Sequence, residues 1–263
     1  MRQEIIHFAH ANGFPARTYN KLFSFLADAY EINYLERHAH NPLFPVTDGW
    51  QRLRDELLGE LTAKYSAPVI GVGHSLGGIL HFLAAVENPD LYKAIILLDS
   101  PFVSRLSGAG LQLLKRTKLI DKYSPSRTAR FRRNLWKDKR EVYEHFKNKE
   151  MFQRFDPDVV RDYAAHAAIE SEAGVKLFFE PQVEARIYRT IPHAFAKYRG
   201  KLKTPAAYIG GNDSREARLA RLGFMRKNFP VKFYFTEGTH LFPFEHPQTT
   251  ASIIKNALAD LSK

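Results

Sequence analysis

A serine hydroxyl attacks a carbonyl carbon efficiently only when a base takes its proton and an acid holds that base in place. The stretch GVGHSLGGIL, residues 71–80, supplies such a serine in the pattern Gly73-His74-Ser75-Leu76-Gly77. A short apolar run precedes it and a helical pattern follows, so Ser75 falls on a sharp strand-to-helix turn. Crowding there excludes bulky neighbours, which explains a glycine two residues to either side. Gly78 then lets the new helix lie close to the sheet. The Leu76 N–H, at the helix N-terminus, points where an oxyanion would form. Two phosphate-binding readings fail on spacing. A dinucleotide fingerprint from Gly71 needs glycine at 76, which is leucine, and a P-loop needs a lysine that the stretch lacks.

Two later loops offer the partners. GGNDS follows the strand-like AAYI and contains Asp213; EGTHLFPFEHP follows VKFYF and contains His240. Both loops follow strands, in the order Ser, Asp, His, and loops at strand carboxyl ends are where parallel sheets gather their ligands. Each assignment has a rival. His246 directly precedes a helix start at Pro247. His74 is held beside Ser75 by the chain and reads as a packed or hydrogen-bonded neighbour. Asp99, after AIILL, is an alternative acid; otherwise it is a buried carboxylate that needs local partners.

The elements that position these residues read as strands at EIIHFA, EINYL, PVIGVG, AIILL, AAYI and VKFYF. Helical patterns separate them, at RTYNKLFSFLADAY after Pro15, at about 50–64 behind a Thr47 or Asp48 cap, at 76–86, at SREARLARLGFMRKNF and at about 247–261. Near-continuous apolar strands alternating with helices imply a parallel sheet covered on both faces. Between AIILL and AAYI the alternation stops, and residues 103–203 show helical periodicity with little strand signal. That segment holds 23 Lys/Arg against 12 Asp/Glu, which accounts for the whole net charge of +11. The shift marks an insertion at 103–203 in a core made of 1–102 and 204–263. Its bland reading is a solvated helical surface; a sharper one is attraction of an anionic substrate or an acidic surface. No nucleic-acid module accompanies the charge, so no nucleic-acid partner is expected.

No cysteine is present, which excludes disulfides and thiolate chemistry. MRQEIIHFAHANGF carries no apolar run long enough for a signal peptide, and no stretch approaches a membrane span. The expected setting is the cytoplasm. His145, His166 and His193 share no ligand spacing, and His38-Ala39-His40 lacks an acidic partner nearby in sequence, so no metal is expected.

Taken together, VGHSLGG, the strand–GGND segment, GTHLFPFEHP and the NGFP after the first strand resemble the α/β-hydrolase superfamily, in particular small serine hydrolases with a helical cap. The resemblance covers nearly the whole chain. It implies a mostly parallel central sheet of about six strands flanked by helices, with the usual N-terminal hairpin missing and 103–203 as a basic helical cap. It implies Ser75 as nucleophile, Asp213 as acid and His240 as base, with the N–H groups of Phe14 and Leu76 as the oxyanion hole. Asn12 stands where relatives carry histidine, and His10 is displaced by two, which opens Asn12 as another donor. The implied activity is hydrolysis of a carboxylic ester or thioester through an acyl-enzyme, on a small-molecule substrate and without a cofactor. Carbon–carbon hydrolysis, lyase or perhydrolase chemistry on the same triad is the alternative, and a non-catalytic ligand-binding protein is the alternative from another class.

Overall fold

The computed structural model describes residues 3–263 apart from Lys118. Among the described residues nine strands run in chain order as β1 (Glu4–Ala9), β2 (Tyr30–Tyr34), β3 (Val69–His74), β4 (Tyr92–Leu98), β5 (Leu135–Trp136), β6 (Ala168–Ser171), β7 (Gly174–Leu177), β8 (Ala206–Gly211) and β9 (Val231–Thr236). Six of them form one sheet in the order β2-β1-β3-β4-β8-β9, and every neighbouring pair is parallel. β1 lies between two parallel partners, so the first described strand already belongs to the parallel sheet.

The apolar runs in the sequence follow from this position. β3 and β8 are buried along their whole length, and β4 at all but Lys93. Side chains alternate between faces. Ile96 and Leu98 of β4 join Phe8, Ile254 and Leu258 on one side; Ile95 and Leu97 join Leu57, Leu80 and Leu83 on the other. Helices at Gln51–Lys64, Leu76–Glu87 and Pro247–Leu261 cover the sheet.

Several expected helices are shorter or differently ended. RTYNKLFSFLADAY contributes only a 3₁₀ turn at Ala16–Tyr19 and a helix at Asn20–Ser24. Asp48 does not cap the next helix and pairs instead with Lys115 across 2.5 Å. SREARLARLGFMRKNF breaks into Arg215–Ala220 and Gly223–Asn228 at Arg221, whose φ is 54°. The segment between β4 and β8 is not purely helical. β5, β7 and β6 form a small antiparallel sheet among helices that include Arg105–Arg116, Lys139–Lys147, Pro157–His166 and Pro181–Arg189. Strands of two to four residues are too short to express an alternating pattern. Phe155 and Tyr163 of this segment pack on Phe14, and Phe155 also packs on Phe244.

Burial also leaves an acid-sensitive signature. His74 and His81 are fully buried, and desolvation lowers both to a pKa of about 3. The folded state therefore holds them neutral while the unfolded chain titrates near 6.5. Their contribution is complete above that value and is lost as pH falls from it toward 3. Each withdraws on the order of 1 kcal/mol by pH 5.5, and the buried His7 and His10, lowered for the same reason, act in the same direction. His240, shifted upward, offsets part of this. A chemical-denaturation series from pH 7.5 to 5.5 is expected to show stability falling steadily, and a flat profile would contradict the neutral buried pair.

Candidate active site

Ser75 sits where β3 ends and the Leu76–Glu87 helix begins. Its backbone is strained, at φ 53° and ψ −110°, a conformation that the surrounding contacts impose. Its N–H donates to Leu98 O at 2.9 Å, which ties the turn to β4. The glycines are there because nothing larger fits. A Cβ on Gly73 would lie 2.3 Å from the Gly77 carbonyl carbon, and one on Gly77 would lie 1.9 Å from Ala9 O. A Cβ on Gly78 would lie 2.2 Å from Ser100 Oγ. The helix start is thus pressed onto the ends of β1, β3 and β4.

His240, in the loop after β9, reaches back to this turn. Its Nε2 is 3.0 Å from Ser75 Oγ, and its Nδ1 is 2.6 Å from Asp99 Oδ2. The acid at the end of this chain is Asp99 and not Asp213. Asp99 follows β4 at φ 39°, with its carboxylate fully buried. Tyr208 donates to its Oδ1 at 2.8 Å, and Ser214 donates to its Oδ2. Asp213 faces solvent with its side chain 66% exposed, and its nearest ion-pair partner is Arg154 at 3.9 Å. The reason lies in the loop. The Asp213 N–H is tied to Gly238 O, and Ser214, which caps the next helix at Ala217, is the residue that turns inward. His246 approaches Glu237 instead of Ser75.

Burial lowers the pKa of His240, but the hydrogen bond and charge of Asp99, with Glu216, more than offset it and hold the value above the usual 6.5. Glu216 Oε2 is 4.0 Å from His240 Nδ1. Asp99, Glu216 and His240 are the one group of three metal-capable donors among the described residues. The 2.6 Å hydrogen bond between Nδ1 and Asp99 already occupies the two inner donors.

The first-strand loop departs from expectation. The Phe14 N–H donates to Ala11 O at 3.1 Å, closing a turn with Gly13 at φ 81°, so it is not a free oxyanion donor in this state. The Asn12 amide donates to Glu184 O at 3.1 Å. His10 is structural, with Nε2 accepting from the His38 N–H and Nδ1 donating to Ala11 O, each at 2.8 Å. The Leu76 N–H has no acceptor among the described residues, consistent with its place at the start of a helix.

The family profile described as "Alpha/beta hydrolase family" matches residues 8–253. The chain belongs to the alpha/beta hydrolase family. Among solved structures, an E-2-(acetamidomethylene)succinate hydrolase is similar at a TM-score of 0.75 and 18% identity, with 98% of this chain and 92% of that one covered. The thioesterase domain from the curacin biosynthetic pathway is similar at 0.70 and 13% identity, over 97% and 91% of the two chains. The enol-lactonase from Burkholderia xenovorans LB400 is similar at 0.65 and 13% identity, over 98% and 92%. At these identities the likeness is one of fold. Among curated proteins, no sequence relative matches the chain.

In this alpha/beta hydrolase several residues outside the sequence reading hold the site together. The Tyr19 hydroxyl accepts from the Ala11 N–H at 3.1 Å and donates to His74 Nδ1 at 2.8 Å. His74 Nε2 in turn donates to the His240 carbonyl at 2.8 Å. One buried relay therefore joins the first-strand loop to the His240 loop. Glu245, nearly buried, accepts from the Thr239 N–H at 2.8 Å and the Thr239 hydroxyl at 2.6 Å, fixing the residue before His240. Position within GTHLFPFEHP was the only available signal for Glu245; nothing in the sequence pairs Tyr19 with His74.

Proposed function

We propose that this alpha/beta hydrolase cleaves a carboxylic ester or thioester of a small molecule through a Ser75–His240–Asp99 triad. The observation that carries the reading is the unbroken chain from Ser75 Oγ to His240 Nε2 at 3.0 Å and from Nδ1 to Asp99 Oδ2 at 2.6 Å. Ser75 Oγ attacks the carbonyl carbon as His240 Nε2 takes its proton. Asp99 stabilises the imidazolium and keeps the ring in the tautomer that presents a free Nε2. The tetrahedral intermediate collapses as His240 returns the proton to the leaving alcohol or thiol. Water deprotonated by the same histidine then releases the acid and restores Ser75.

The Leu76 N–H supplies one oxyanion donor. Phe14 supplies the second only by exchanging its bond to Ala11 O for one to the substrate. The segment 103–203 acts as a cap over this site, and its aromatic contacts with Phe14 and Phe244 support that role. The names of two neighbours, a thioesterase domain and an enol-lactonase, favour acyl transfer among the chemistries open to such a triad.

The test is a fluorophosphonate probe, which bonds only to an activated serine. Wild-type protein is expected to be labelled at Ser75 and Ser75→Ala to remain unlabelled. No labelling of the wild type, or equal labelling of both, would sink the reading.

A further inference from the structure

Above the first-strand loop lies a buried, half-satisfied pair of charges that the proposed triad does not use. Arg132 and Glu184 both belong to the segment between β4 and β8. Their side chains are 19% and 9% exposed, and Arg132 Nη2 approaches Glu184 Oε2 to 2.9 Å. Among the described residues neither atom makes an aligned hydrogen bond, nor do Arg132 Nε and Asn12 Oδ1, although Tyr163 comes within reach of the guanidinium and Tyr188 within reach of the Asn12 amide. Four poorly satisfied polar atoms in one place demand an explanation, because each costs free energy in a folded protein. A pair kept only for stability would be served as well by apolar side chains of the same volume.

The location ties the pair to the site. The Glu184 carbonyl accepts from the Asn12 amide, and its carboxylate lies 3.0 Å from where a Cβ on Gly13 would be. Asn12 and Gly13 form the turn beside Ser75, since the end of β1 touches the start of the Leu76–Glu87 helix at Gly77. On the far side, Tyr188 lies within electrostatic reach of Glu184, Arg132 and Glu216, and Glu216 is 4.0 Å from His240 Nδ1. Tyr163 flanks the guanidinium and packs on Phe14.

The orphaned donors also have a shape. Nε and Nη2 form one edge of a guanidinium, the planar fork that matches the two oxygens of a carboxylate. Glu184 sits at that edge out of alignment, so it balances the charge without filling the fork. We infer that Arg132, with Glu184 as its resting counter-ion, is a subsite for a carboxylate carried by the substrate a few atoms from the scissile carbonyl. The inference rests on the ester-hydrolase reading and narrows the substrate to a half-ester of a short dicarboxylic acid or its equivalent. An incoming carboxylate takes both N–H bonds of the fork and displaces Glu184, whose pKa burial has already raised.

Calorimetry on the Ser75→Ala protein tests this without turnover, so it stands or falls separately from serine labelling. Monomethyl glutarate is expected to bind at least about ten-fold more tightly than dimethyl glutarate, the size of one bidentate charge-assisted contact. Adding Arg132→Met removes that preference. Arg132→Lys, which keeps the charge but not the fork, shows most of the same loss and serves if the methionine variant melts early. Adding Glu184→Gln removes the competing charge and tightens monomethyl glutarate binding several-fold. A purely structural pair predicts the reverse for Glu184→Gln. No preference between the two esters, a preference that survives both Arg132 variants, or weaker binding in Glu184→Gln overturns the proposal.

Discussion

Asp99→Asn is expected to lower kcat/KM on an activated ester by about 1,000- to 10,000-fold, the loss seen when a triad carboxylate becomes an amide. Asp213→Asn is expected to change it by less than about two-fold, as for an exposed residue away from the chemistry. The amide is nearly isosteric and keeps an oxygen for either the Tyr208 or the Ser214 hydroxyl, while the other hydroxyl can rotate to accept from the new NH2, so the fold survives. What disappears is the charge 2.6 Å from His240 Nδ1. The imidazolium that forms as Ser75 attacks then has no buried counter-charge, and the ring is free to present its proton to Ser75 instead of a lone pair. Glu216, 4.0 Å from the same nitrogen, can compensate in part and pulls the loss toward the lower bound. Steady-state kinetics with a melting curve for each variant decides the matter. An Asp213→Asn loss equal to or larger than that of Asp99→Asn would return the acid to the loop after β8.

Gly77→Ala is expected to destabilise the protein by more than about 4 kcal/mol, enough to keep it from accumulating as folded material. The added methyl would stand 1.9 Å from Ala9 O and 2.3 Å from Ala9 C, both backbone atoms of a strand hydrogen-bonded on both sides. No side-chain rotamer relieves that contact, so either β1 or the helix must move. Gly223→Ala is the matched control, since its Cβ would meet nothing within 4 Å. Soluble yield and denaturation midpoints compare the two. A Gly77→Ala protein as stable as the control would mean that the elbow is looser than its contacts indicate.

The parts of this molecule legible in the sequence are those written in local pattern. The strand, turn and helix around Ser75 repeat their logic in consecutive residues, and the six apolar runs map onto the six parallel strands. The approach of His240 to Ser75 was legible because its loop follows a strand and its one rival there, His246, stands at a helix start. The acid was not. Asp99 and Asp213 each follow a strand, and the choice depends on which side chain the Ser214 helix cap turns inward, a matter of loop dihedrals. The state of Phe14 was not legible for a related reason: its place in NGFP says nothing of the turn that engages its N–H with Ala11 O. Arg132 and Glu184 were invisible for a third reason, since only the folding of the segment between β4 and β8 brings them together. The short β5 and β6 strands escaped because they hold too few residues to show a period.

The pairing of Ile95 with Ala206 has a bearing on how the chain is made. The two strands are joined only through the whole intervening segment, a closure of about 110 residues whose entropic cost grows with the logarithm of its length. During synthesis β1 to β4 emerge first. β4, apolar on both faces, then waits with one bare edge until β8 leaves the ribosome. An unpaired apolar edge is a template for the wrong neighbour. The segment between β4 and β8 shortens that closure if its small sheet and aromatic contacts form before β8 arrives, which gives it a part in protecting the nascent sheet that is independent of anything it does for a substrate.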